Sequence, residues 1–138
     1  MKADTDALKA VLSAIPGLSG KVFVAFTTPV GTNITAPYVL VFPAGGTNTA
    51  DRLTGPTQVR NPAFTLHVVG ANADSTQIVF DNISAAFTAD AFVTPPTVTG
   101  RRNSAGYFRC PLPIQVSDTA DPPMAYAVIE LGWTSEPE

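Results

Sequence analysis

Ala125-Tyr126-Ala127-Val128-Ile129-Glu130-Leu131-Gly132-Trp133-Thr134 is the stretch whose reading decides the fold. Ala127, Ile129, Leu131 and Trp133 alternate onto one face, while Tyr126 and Val128 make the other face partly apolar. Period-two alternation with apolar residues on both sides describes a strand in the interior of a sheet. Just upstream, Phe108, Cys110, Leu112, Ile114 and Val116 alternate with Arg109, Pro111, Pro113 and Gln115. The two prolines are two residues apart, so their missing N–H groups fall on the same side of the strand. A central strand cannot leave two ladder bonds unmade on one side, so this is expected to be an edge strand or an extended edge segment.

Working back towards the start, Ala63–Val69 reads as a strand with Phe64, Leu66 and Val68 on one face and Thr65, His67 and Val69 on the other. Asp74-x-x-Gln77 forms a capping box that opens a helix with Ile78, Val79, Ile83, Ala86 and Phe87 on its apolar face, and Pro95-Pro96 ends any helical continuation. Lys21–Phe26 and Tyr38–Phe42 are two further strands. Before them Leu8, Val11, Leu12 and Ile15 recur at helical spacing, predicting a helix from about Thr5 to Ile15, capped by Asp4 or Thr5 and stopped at Pro16-Gly17. The order helix, three strands, helix, two strands predicts a single α+β domain over residues 1–138. In it a mainly antiparallel sheet of about five strands carries two helices on one face. Trp133 should pack in the core with Ile129 and Leu131, beneath Leu8, Leu12, Ile83 and Phe87.

The connection from Pro43 to Pro62 holds Gly45, Gly46 and Gly55, with only Leu53 and Val59 as sizeable apolar residues between its bounding prolines. Burial so sparse does not offset the entropy of ordering a connection this long, and long connections tend to be functional. The expectation is a mobile loop over 43–62 that orders against a neighbouring subunit, with Arg52 and Arg60 making directional contacts.

Composition restricts what such a domain does. The 138 residues are 45% hydrophobic and 14% charged, against about 25% charged in ordinary domains. Much of the surface is therefore uncharged, which suits contact with other subunits. Eight Lys and Arg against eleven Asp and Glu give 8 − 11 = −3, which disfavours tight binding of a nucleic-acid backbone and polybasic membrane attachment. Cys110 is the one cysteine, which rules out an internal disulfide and a cysteine-based zinc site. No secretory signal is read at the N-terminus, and no apolar run approaches the ~18 residues of a membrane span. A soluble protein made in a cytoplasm is expected.

No catalytic, cofactor-binding or metal-ligating set emerges. A Cys–His pair needs His67 and Cys110 within hydrogen-bond reach, yet the strand faces separate them. Cys110 is expected inward, buried and chemically quiet. A lone histidine with scattered carboxylates offers no metal-ligand spacing, and the glycines lack the pattern of phosphate-binding loops. Asp118 and Asp121 read as turn residues. Arg101, Arg102 and Arg109 form the one cationic cluster, with nothing acidic between Phe92 and Val116, whereas Asp118, Asp121, Glu130, Glu136 and Glu138 follow with no Lys or Arg. The cluster is either a solvated arginine turn or one half of a head-to-tail contact, the arginines of one copy meeting the acidic tail of the next.

Asp51-Arg52-Leu53-Thr54-Gly55-Pro56, then Arg60 through Gly70, then the helix Ser75–Phe87 resemble the middle of the tail terminator, or tail-completion, proteins of long-tailed bacteriophages. The opening helix and the closing strand fall where that family places them. The resemblance implies a virion protein at the head–tail junction, assembled in the host cytoplasm. Its copies would form a ring, six in that family, on the last ring of the tail tube. The ring stops tube growth and offers a joining surface to the head-tail connector protein, and DNA passes through the lumen without specific binding. The expected partners are thus the chain itself, the major tail tube protein and the connector, with Arg52, Arg60, Arg101 and Arg102 as candidate subunit-interface residues. The resemblance supplies no cofactor and no catalytic residues. Another head–tail junction protein (a connector or head-completion subunit) is the alternative, ahead of a small enzyme or a monomeric ligand-binding module.

Overall fold

The computed structural model describes residues 2–24, 36–44, 47–50, 58–89, 92–117 and 124–137. Strand β10 (Met124–Pro137) organises it, running past both ends of the alternating stretch. Ala125, Ala127, Ile129, Leu131 and Trp133 are buried on its inner face. At 14 residues it is long enough to hold two neighbours in succession on each side. On one side it pairs antiparallel with β5 (Ala63–Gly70), from Ala125↔Gly70 to Gly132↔Ala63, and then meets β4 (Gln58–Asn61) at Ser135↔Arg60. On the other side β9 (Gln115–Ser117) pairs with Met124–Tyr126, and β8 (Arg101–Arg109) pairs with Glu130–Pro137.

From β5 the sheet continues through antiparallel β2 (Tyr38–Pro43) to β1 (Val22–Val24), which lies parallel to β2, and β3 (Thr47–Ala50) closes a hairpin on β4. The order is β1-β2-β5-β10-β4-β3, with β8 and β9 on the remaining side of β10. This is the expected α+β architecture, with a mainly antiparallel sheet of eight strands among the described residues. The extra strands come largely from two stretches read differently in the sequence. The long connection contains the β3–β4 hairpin, whose Thr- and Asn-rich strands show no apolar period. The remainder of that connection, residues 45–46 and 51–57, lies outside the described residues.

Helices α1 (Lys2–Ser13) and α2 (Ala73–Phe87) pack on one face of the sheet, α1 beside β1 and α2 over β5 and β10. Leu8 and Leu12 from α1, and Val79, Ile83 and Phe87 from α2, meet Phe64, Leu66, Val68, Ile129 and Leu131 in one core. Trp133 lies in that core as expected, stacked on Phe64 with ring centroids 5.2 Å apart. A small antiparallel ladder of β6 (Thr88–Ala89) and β7 (Phe92–Val93) follows α2.

Two helix starts differ from the reading above. Asp4 and Thr5 lie inside the first turns of α1 and are buried rather than capping it. The stop is where Pro16-Gly17 places it, with Gly17 at φ +88°, a conformation that costs glycine little. The N-cap of α2 is Asn72, whose Oδ1 accepts from Ser75 N at 2.8 Å, rather than Asp74. Asn72 is extended, which is the backbone state an N-cap needs, and Asp74 falls in the first turn, where its charge favours the helix dipole. One turn in, the buried Thr76 hydroxyl lies 2.8 Å from Asn72 O and 3.2 Å from Ala125 O, tying α2 to β10.

The edge with two prolines is also corrected. β8 ends at Arg109, residues 110–114 leave the ladder, and β9 begins at Gln115. Pro111 and Pro113 thus lie at an edge but between two strands. Once the ladder is broken, side-chain alternation is no longer enforced. Phe108 and Ile114 still pack against the core, but Cys110 and Leu112, in the break, are exposed, as is Val116 in β9.

Candidate assembly surfaces

The four arginines proposed for an interface have different settings. Arg52 lies outside the described residues. Arg60 on β4 forms an ion pair with Asp4 of α1, Nη2 to Oδ2 3.3 Å, with the Asp4 side chain fully buried and that of Arg60 28% exposed. The contact anchors the base of the β3–β4 hairpin to the start of the chain. Arg101 donates from Nε to Ser135 Oγ at 3.0 Å and from Nη2 to Ser135 O at 2.8 Å, and Ser135 is buried. Arg102 pairs with Glu136 at 2.6 Å and Arg109 with Glu130 at 2.6 Å. Each of these last two pairs joins residues directly opposite in the β8–β10 register. The separation of charge along the chain therefore has an outlet within one subunit. The basic strand and the acidic strand lie side by side, and cross-strand pairs of opposite charge favour this register.

Beside that edge runs a groove of about 550 Å³. Gln77, Phe80 and Asp81 of α2 form one wall, Cys110, Leu112 and Ile114 the other, and Ala127 of β10 lies at its base. The groove exists because the ladder on this side of β10 lapses between the β9 and β8 pairings, where the two prolines supply no N–H. Two large apolar side chains are exposed in this region of the chain, Leu112 at 50% and Val116 at 60% accessible. Leu112 is at once a wall of the groove and half exposed, so the groove carries an apolar surface open to a partner.

His67 belongs to the opposite face of the sheet, which neither helix covers. There Tyr38, Leu40 and Phe42 of β2, Thr65 and His67 of β5, and Tyr126 and Val128 of β10 are half-buried. The imidazole lies between Phe42 at 4.9 Å and Tyr126 at 6.0 Å, and partial burial holds its pKa below the usual histidine value. His67 and Cys110 therefore do not converge, so the thiol–imidazole arrangement considered from the sequence does not form. Among the described residues no three His, Cys, Asp or Glu side chains cluster as metal ligands, and no helix is long and apolar enough to cross a membrane.

The fold has a counterpart among solved structures. A chain from the virion of a native gene transfer agent particle superposes with a TM-score of 0.57, at 19% identity, covering 98% of this chain and 92% of that one. No protein-family model matches the sequence, and no curated protein does. At this level of identity the likeness is one of fold, extending over essentially the whole domain.

Sequence reasoning located the edge and its prolines but missed the groove. Its signal was present in Leu112 and Val116, which alternation assigned to the interior. Pro111 and Pro113, on either side of Leu112, argue against the continuous ladder that such an assignment requires.

Proposed function

We propose that this chain is a structural component of a phage-like particle, acting as a tail terminator whose copies form a ring on the last ring of the tail tube. The observation that carries the reading is the end-to-end match in fold to a chain of a gene transfer agent virion. It is supported by the loop and strand residues that resemble tail terminators and by a surface poor in charge and rich in exposed apolar groups. In this reading the work of the protein is shape and contact. The ring stops tube growth, presents a joining surface to the connector, and lets DNA pass through a lumen that does not grip it. A net charge of −3 suits that passage because phosphate is repelled rather than held. Arg60, Arg101 and Arg102 serve it by fixing the hairpin base and the β8–β10 edge.

Deleting the gene from its particle tests the reading by electron microscopy. A terminator leaves tails of irregular, excessive length that do not join heads. Tails of normal length without heads would instead identify a connector, and unaltered particles would refute a role in the virion.

A further inference from the structure

We infer that the groove between α2 and residues 110–114 is the receptor half of a head-to-tail contact between copies of this chain, and that the α1/β1 end of the next copy fills it. The inference deepens the ring reading above and rests on it.

The two lateral ends of the sheet differ in a way that suits this pairing. At the groove end, α2 carries Asp74 and Asp81 and no Lys or Arg anywhere from Ala73 to Phe87. Gln77, Phe80 and Asp81 occupy the flank of α2 that faces the groove, while Asn82, Ala85 and Ala86 face α1. The groove end is thus an exposed apolar surface with an acidic lip.

At the far end, α1 lies beside β1, with Val11 of α1, and Ala14 just beyond its end, turned towards α2. At ~100° per residue, Lys9 falls on the opposite flank of α1, facing away from the molecule. Lys21 immediately precedes β1, which pairs with β2. This end therefore offers two lysines, Lys9 and Lys21, beside β1. Lys2, the other cation of α1, is held by Asp6 at 2.8 Å.

Acid with an apolar floor at one end and lysine at the other is complementary between copies and not within one, because α2 and the whole sheet separate the two ends. A contact between different surfaces of identical subunits propagates in one direction and closes into a ring when the rotation per copy allows it. The charges set the orientation, and the apolar groove supplies the buried area.

The groove contains the one cysteine of the chain, exposed in the isolated subunit, so the contact can be read directly. The full-length protein is fractionated by mass in solution, and each fraction is treated with a maleimide. The expected result is free labelling of Cys110 in the monomer and loss of labelling in the ring. Asp81→Lys and Lys9→Glu, both at exposed positions, should each shift the association midpoint to about tenfold higher concentration or more. The two combined in one chain should restore assembly, which a fold defect would not do. Leu112→Glu should leave a folded monomer by circular dichroism that does not associate.

Rings that label as fast as monomers, or a charge swap that fails to restore assembly, would overturn the groove contact while leaving the ring reading intact. Protection of Cys110 that arises only on adding a different virion protein would assign the groove to that partner and overturn self-association there. A chain that stays monomeric at every concentration would remove the ring reading and this inference together.

Discussion

Replacing Trp133 by alanine tests the placement of the central strand. The indole is 3% accessible and stacks on Phe64 at a centroid distance of 5.2 Å and an interplanar angle of 25°. Deleting a buried tryptophan costs about 3–5 kcal/mol, of which an aromatic pair accounts for roughly 0.5–1.5 kcal/mol. An opposing contribution is visible in the structure, since Nε1 is buried with no hydrogen-bond partner among the described residues. A donor left so is unfavourable by about 1–3 kcal/mol, and truncation relieves it. The loss should therefore fall near the lower limit, about 3 kcal/mol. Urea unfolding followed by far-ultraviolet circular dichroism measures it without depending on the indole signal. A Trp133→Phe variant keeps most of the ring contact and removes the unpartnered donor, so it should lie within about 1.5 kcal/mol of the parent. An alanine variant that loses less than about 1 kcal/mol, or a phenylalanine variant as damaged as the alanine one, would refute this account of the core.

Two further outcomes follow from the charged groups. Asp4→Ala should destabilise the domain by about 3 kcal/mol, the lower limit for breaking a buried pair because the Arg60 side chain is partly exposed; loss below about 1 kcal/mol in urea unfolding would show that the Asp4–Arg60 contact does not anchor the hairpin. His67 should titrate below 6.5 by proton NMR, because burial disfavours its charged form. Between that lowered pKa and 6.5 the unfolded chain binds more protons, so the His67 contribution to stability diminishes as pH falls through this window and is level above it. A His67→Phe variant should lack that part of the acid dependence, and an unchanged pH profile in it would contradict the burial.

What the sequence determined by itself was local. The alternation of Ala127, Ile129, Leu131 and Trp133 specifies a strand with one buried face whatever its partners, because successive side chains must point to opposite sides. The spacing of Leu8, Leu12 and Ile15 specifies an apolar helical stripe for the same kind of reason, and Gly17 ends the turn that follows because its positive φ suits glycine. The α+β class followed from the order of these elements. Tertiary structure decided the rest. Only the antiparallel register of β8 on β10 brings Arg102 to Glu136 and Arg109 to Glu130, residues 34 and 21 positions apart, so their pairing within one chain was not legible in the charge pattern. The β3–β4 hairpin owes its place to contacts with β10 and α1 rather than to an apolar period of its own. Cys110 illustrates the division most sharply. The prolines that follow it, Pro111 and Pro113, are visible in the sequence as missing donors. Whether the ladder bridges them is settled by partners distant in the chain, and where it breaks the thiol turns outward into the groove.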